Sequence, residues 1–321
     1  MTDPDAELML ALDIGGTRVK WGVVRPRAAQ VVASGAELSH ANGDRDEVLG
    51  ALRGALVDAA AAAHATGSTE LDAAIGFPAP FDYATGIPLL RHKFASIHGI
   101  DLGQALREEA RDVRTISFWN DAQAAAVGEA RHGSALGFRR ALVITLGTGV
   151  GSALVDEGRP VDQVGSWAVG DLWQEDTPAG RIDELFSVAA MCTAVGTTPG
   201  GLASAAVDPA FAGAFDRFGE TLGSTLAPYI DRTSADVLVV AGGGAAAFPS
   251  LERALLSTLP CPALPSALGD GAALLGVCGL HLDAERTDDT PESQHDPPHG
   301  VWVPVARSPG RSISDRNQLG G

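Results

Sequence analysis

The sequence predicts a mixed α/β protein of two domains with a cleft between them. Three observations carry that expectation. Short apolar runs of strand character break into glycine turns three times, at Gly15-Gly16-Thr17, Gly147-Thr148-Gly149-Val150-Gly151 and Gly242-Gly243-Gly244. Strand-like runs alternate with alanine-rich helical stretches, the grammar of α/β proteins. The arrangement of the first half then recurs in the second, which implies an internal duplication of fold.

In chain order, Leu8 to Ile14 and Val19 to Val24 read as a hairpin around Gly15-Gly16-Thr17. Glycine there removes the Cβ that would keep an anion from the backbone, and Thr17 adds a hydroxyl. Gln30 to Leu38 reads as a third strand, and Asp44 to Thr66, acidic at its start, as a helix. Leu71 to Phe77 is a strand closed by Pro78-Ala79-Pro80, and 82–94 is a loop holding His92 and Lys93. A short helix at 102–110 precedes a strand at 115–119. Asp121 then stands where that strand gives way to an alanine-rich helix. By itself an Asn-Asp pair at such a junction is an N-cap. At a cleft, the same carboxylate can take a proton from a hydroxyl.

In the second half, 141–145 and 151–155 flank the second glycine turn, and 164–174 mixes polar and aromatic residues. Helices are expected at 181–195, 208–230 and 248–258. The strand 237–241 runs into the third glycine turn, and a small, apolar helix at 269–282 closes the fold on the sheet. Residues 283–321 are polar and proline-rich and predict a disordered tail. The domains are expected at 5–118, joined by the closing helix, and at 119–268. A base and a phosphate cradle about thirty residues apart point to phosphoryl transfer.

Composition narrows the partners. At 45% hydrophobic and 20% charged residues the chain can bury a sizeable core. A formal net charge of −17 argues against nucleic acid and anionic membranes. Cys192, Cys261 and Cys278 lie far apart without a C-x-x-C pair, so neither a disulfide framework nor a zinc site is expected. No signal peptide or spanning segment is read, and a cytoplasmic protein is expected.

Four segments together resemble the ROK family (repressors, open reading frames and kinases) of the actin-like, ribonuclease H-like sugar-kinase fold. They are L-D-I-G-G-T-R-V-K at 12–20, N-D-A-Q-A-A-A-V-G-E-A at 120–130, T-L-G-T-G-V-G-S-A-L-V-D-E-G at 145–158 and V-V-A-G-G-G at 239–244. The resemblance implies an ATP- and Mg²⁺-dependent kinase of a sugar hydroxyl. It makes Asp121 the general base and Asn120 an acceptor contact. Gly15, Gly16, Thr17 and Lys20 would form the first phosphate site, with Asp13 near Mg²⁺ through water. Gly147, Thr148 and Gly149 would form the second, and Gly242, Gly243 and Gly244 would pass the adenosine.

Two departures bear on the acceptor. The family's G-E-x-G-H segment is replaced by Gly170-Asp171-Leu172-Trp173-Gln174, which assigns Asp171 and Gln174 to the acceptor; a rival register uses Ala168 and Asp171. The Cys-rich zinc motif is missing, so activity is expected to need no zinc. The loop carrying His92 and Lys93 also differs from the glucose-kinase pattern, and both residues are assigned to the acceptor. Amino sugars such as kanosamine and C7-cyclitols are candidate acceptors, and polyphosphate stays open as a donor. A homodimer stays open, and a non-catalytic sugar-sensing regulator is the rival function.

Overall fold

A computed structural model describes residues 7–288 and 303–304. The strands β1 (Met9–Ile14), β2 (Arg18–Arg25) and β3 (Gln30–Leu38) form an antiparallel meander. Helix α1 (Arg45–His64) follows, opened by a capping box in which Asp44 accepts from the Glu47 amide and Glu47 from that of Asp44. Such a cap is worth about 1 kcal/mol. Then come β4 (Leu71–Phe77), the short hairpin β5 (Phe81–Asp82) and β6 (Ile87–Pro88), helix α2 (Leu102–Arg107) and β7 (Val113–Asn120). Helix α3 (Asp121–His132) continues directly from β7.

The second half opens with β8 (Arg140–Leu146), β9 (Val150–Asp156) and β10 (Arg159–Val161). Two-residue strands follow in pairs, β11 (Gln163–Val164) with β12 (Trp167–Ala168) and β13 (Asp176–Thr177) with β14 (Gly180–Arg181). A 3₁₀ turn, Val169–Gln174, lies between the pairs. Helices α4 (Ile182–Phe186), α5 (Val188–Val195), α6 (Leu202–Ala206) and α7 (Ala212–Thr233) lead to β15 (Val237–Ala241), α8 (Phe248–Leu256) and β16 (Ala263–Pro265). Helix α9 (Gly271–Asp288) follows, and β17 (Val303–Pro304) pairs with the edge of β7.

The duplication read from the sequence is visible in the strand orders. One sheet runs β17-β7-β4-β1-β2-β3 and the other β10-β9-β8-β15-β16. Each therefore has a hairpin (β1–β2, β8–β9) whose first strand also pairs in parallel with a later one (β4, β15). β4 is buried along its whole length, as a parallel strand covered on both faces must be. β1 alternates: Leu10, Leu12 and Ile14 join the core under α1, while Met9 and Ala11 face α3 and α9.

Several boundaries depart from the sequence reading. The helix expected at 181–195 is two, because Ser187 is extended (ψ 158°) and its Oγ caps α5 by accepting from the Ala190 amide. The helix expected from 208 starts at Ala212, after a 3₁₀ turn set by Pro209 and the Asp208 cap. The helix expected at 102–110 ends at Arg107. Strands β10 and β16 were too short to carry a pattern.

The closing helix runs to Asp288, beyond the expected end at 282, and lies most closely against α3, with β1 and β4 beneath it. Ala124 and Gly128 on α3 meet Ala272 and Gly276 on α9. A Cβ on Gly276 would overlap the Ala124 carbonyl, and one on Gly128 that of Ala272. These i, i+4 pairs of small residues set how closely the helices cross. The expected disordered tail lies outside the described residues, apart from the helical stretch 283–288 and β17.

Glu129 fixes the other end of α3. It is fully buried and accepts from the Ser134, Ala267 and Leu268 amides and from Ser266 Oγ. A buried carboxylate is tolerable only when so satisfied. The result ties α3 to the loop that delivers Asp270 and α9.

Candidate active site

The parallel register puts three carboxyl ends side by side. Asp13 on β1 is level with Gly76 on β4, Gly76 with Trp119 on β7, and Phe77 with Asn120. In open α/β sheets ligands bind beyond such ends. Asp121, the next residue, therefore stands beside Asp13. Gly76 makes the approach close: a Cβ there would touch the Asp121 Cα at 3.5 Å.

Asn120, not Asp121, is the N-cap of α3. Its Oδ1 accepts from the Gln123 amide (3.0 Å), and its Nδ2 donates to the Tyr83 hydroxyl (3.0 Å). That hydroxyl donates to the Phe77 carbonyl (3.0 Å). The network holds the junction rigid and leaves Asp121 half-buried with one bond, its Oδ1 accepting from the Ala122 amide (2.8 Å). Burial pushes the Asp121 carboxyl up to about 6, reinforced by Asp13 and opposed by the Lys93 ammonium. Burial, then the Asp121 charge, raise the Tyr83 phenol.

Asp13 is also raised by burial, against the pull of Lys20. Lys20 Nζ lies 3.3 Å from Asp13 and 2.9 Å from Asp270. Burial alone would lower the Lys20 ammonium, but the two carboxylates outweigh it and hold it above its ordinary range.

The glycine turns face one another across the sheets. Thr17 Oγ1 and Thr148 Oγ1 are 2.8 Å apart, so the first two turns meet hydroxyl to hydroxyl. The amides of Gly16, Thr17 and Thr148 have no partner among the described residues. The second turn is braced by Asp183, whose Oδ1 accepts from the Val150 amide (2.6 Å) and leaves no room for a Cβ on Gly149. The Val188 amide at the head of α5 donates to the Gly147 carbonyl (2.8 Å). The third turn lies alongside, because β15 and β8 are parallel and Ala241 is level with Thr145. Gly242 has φ 78°, and a Cβ there would meet the Leu146 carbonyl oxygen at 2.7 Å. Only glycine fits that position.

The acceptor residues fall in two places. Lys93 is half-buried and near enough to act on Asp121, whereas His92 is exposed and without a side-chain hydrogen bond among the described residues. Asp171 and Gln174 are exposed on the 3₁₀ turn, where a spacing of three puts them on one side. That turn is tied toward Asp121: Gln123 Nε2 donates to Asp162 (2.6 Å), and the Asp162 carbonyl accepts from the Val169 amide (2.9 Å). Trp167 is a core residue, packed on Tyr229 and Arg232 and donating to Glu175.

Tyr83, Asp162, Asp183 and Asp270 were missed in the sequence. Each acts across a long separation, and none stands in the three glycine turns that follow strands. Elsewhere, Asp72, His281 and Glu285 bring ligand atoms within 4.8 Å of one another, the one such trio among the described residues. Asp72 there is already bonded by Arg114 and Thr115. No helix among the described residues is long and apolar enough to cross a membrane.

The two matched α/β sheets with facing glycine turns share their fold with solved ROK sugar kinases. A ROK family glucokinase from Streptomyces griseus, solved with glucose and AMPPNP, superposes with a TM-score of 0.71 at 19% identity, over 85% of this chain and 99% of that one. An inorganic polyphosphate/ATP-glucomannokinase from Arthrobacter sp. strain KM gives 0.68 at 22%, over 86% and 99%. A ROK family transcriptional regulator, a homolog of the E. coli MLC protein, gives 0.65 at 17%, over 84% and 76%. No curated protein matches the sequence. The sequence model of the ROK family matches residues 9–167.

Proposed function

We propose that the protein is an ATP-dependent kinase that phosphorylates a hydroxyl, in the first instance a primary one, of a hexose or sugar-like acceptor. The observation that carries this reading is Asp121, a half-buried carboxylate raised to about 6 and set beside Asp13, Lys20 and the Thr17–Thr148 contact. A base with that value is still mostly ionised at neutral pH yet basic enough to take a hydroxyl proton. A non-catalytic sensor has no need of a carboxylate kept unpaired in so costly a place.

In this reading Asp121 receives the acceptor proton as the oxygen attacks the terminal phosphorus. The free amides of Gly16, Thr17 and Thr148, with the two threonine hydroxyls, hold phosphate oxygens, and Lys20 adds positive charge. Gly242 to Gly244 let the adenosine pass close to the backbone. Asp13 fits a hydrated Mg²⁺: it is a desolvated carboxylate, only 14% exposed, at the mouth of the first turn. The ion, when bound, would neutralise charge on the phosphates. The two domains, 5–118 with the closing helix and 119–268, would close over the acceptor and exclude water.

The reading is tested by coupled ADP release with Mg·ATP over a panel of hexoses, amino-hexoses, cyclitols and sugar acids. Acceptor-dependent release supports it, and sugar binding without release favours the regulator. Asp171 and Gln174 are proposed to hold acceptor hydroxyls. Asp171→Ala is then expected to lower kcat/KM for the acceptor by about 2–4 kcal/mol, with KM for ATP nearly unchanged. Equal losses for both substrates would return Asp171 to a structural role. Activity should also survive selective zinc chelation; loss restored by zinc and not by magnesium would contradict that.

A further inference from the structure

The chain has 21 arginines and two lysines, and both lysines stand at the cleft. Lys20 is matched by Asp13 and Asp270. Lys93 has no ion pair and no hydrogen bond to any described residue, although it is half-buried. It acts on Asp121 without coming within 4 Å of it. A lysine serving only to keep Asp121 ionised would sit on the carboxylate. This one stands farther from the carboxylate than an ion pair would.

The loop is built to hold it there. Phe94 has φ 55°, a left-handed conformation that is costly for a bulky residue. It persists because Phe94 is anchored on three sides. The ring is fully buried against Phe77 (centroids 5.2 Å apart), the amide donates to the Ala41 carbonyl (2.6 Å), and the Phe94 carbonyl accepts from Ile97 (3.1 Å). Leu90, on the other side of Arg91-His92-Lys93, is pinned through its carbonyl by His98 Nδ1 (3.2 Å). The basic run is thus clamped at both ends, and its side chains make no hydrogen bond or ion pair among the described residues.

Ala41 belongs to the opposite wall. The segment 38–43, with His40 also left-handed (φ 48°), lines a groove of about 340 Å³ that opens at Gly16 and Thr17. Ser39 Oγ, on this wall, is buried without a hydrogen-bond partner. The two strained loops therefore brace each other between the first phosphate turn and Lys93.

We propose that the acceptor carries an oxyanion, a carboxylate or a phosphate on its polyhydroxylated body, and that Lys93 is the residue that recognises it. The inference rests on the kinase reading above and specifies its acceptor. A chain of net charge −17, with Asp13 and Asp121 at the reacting end, repels anions. An anionic acceptor needs a dedicated cation, and a neutral sugar does not. The compact ammonium with three donors suits a tetrahedral or planar oxyanion approached from one side. A protonated amino sugar would turn its ammonium toward the Lys93 ammonium, so kanosamine-like acceptors fit this wall poorly.

The test is calorimetric binding to the full chain, with and without Mg·AMPPNP, using D-glucose, D-glucosamine, D-gluconate and D-glucose 1-phosphate as probes, the two anions each keeping the primary hydroxyl free. One of the two anions should bind at least about tenfold more tightly than glucose, and less so as salt is added. Which one does so separates carboxylate from phosphate. Lys93→Met should cut the anion-to-glucose preference by about 10–100-fold, and Lys93→Arg should keep it. Glucose or glucosamine bound as tightly as both anions would overturn the proposal. Equal weakening of every probe in Lys93→Met would overturn it too, by placing Lys93 on the transferring phosphate. Failure of Mg·AMPPNP to bind would instead strike the kinase reading, while the nucleotide-free comparison would still decide the role of Lys93.

Discussion

Asp121→Asn is expected to reduce turnover by about 10²–10⁴-fold, the range for removing a general base. The substitution keeps size and the bond to the Ala122 amide but cannot accept a proton. Wild-type kcat/KM for the acceptor should fall as pH drops through about 6, the value to which burial raises Asp121, and level off above it. The variant's residual rate should lack that limb. Stability should move the other way. A carboxyl raised in the folded state binds its proton more tightly there than in the unfolded chain. Its contribution is fully present below the unfolded value near 3.8 and is lost as pH rises through about 6. Asp121→Asn should therefore be no less stable than wild type at pH 7, and more stable there than at pH 4 relative to it. Near-normal turnover in a folded variant would move the base elsewhere.

Gly276→Ala should cause the largest loss of stability among single-methyl changes. The new Cβ would overlap the Ala124 carbonyl on α3, and backbone on backbone cannot yield by a rotamer change. Overpacking of this kind costs about 3 kcal/mol. For a domain of this size that corresponds to roughly 6–12 °C in Tm. Because α3 begins with Asp121, the protein that remains folded should also lose turnover. Calorimetry of the variant checks the first expectation, and an unchanged Tm would mean that α3 and α9 cross less closely than described.

These two residues mark how far the sequence could be read. The glycine turns, Asp13 and Asp121 were legible because each is a local event: a strand, a break, a polar residue at the break. The duplication of the hairpin was legible too, but the strand orders came only from the structure. The α3–α9 crossing was not legible. Its small residues stand in alanine-rich helices where many such pairs occur, and only the three-dimensional packing says which of them touch. The same holds for Asp183, which braces the second turn from 33 residues away, and for Tyr83, whose hydroxyl reaches Asn120 across 37. Broken helices were misread where a single residue decides, as at Ser187. There the periodicity continues through a cap.

Lys93 lies between these cases. Its place in a loop that departs from the glucose-kinase pattern was visible in the sequence. Its place near Asp121 without an ion pair among the described residues was not, since that depends on Phe94 being held left-handed with its amide on Ala41.

The central claim is that this chain moves a phosphoryl group from ATP to an acceptor hydroxyl with Asp121 as base. Phosphorus NMR of the purified protein with Mg·ATP and the best-bound acceptor reads the transfer itself. The account predicts a phosphomonoester signal that grows in step with ADP and is suppressed in Asp121→Asn. Tight acceptor binding with ATP left intact, or ADP and free phosphate without the ester, would contradict it.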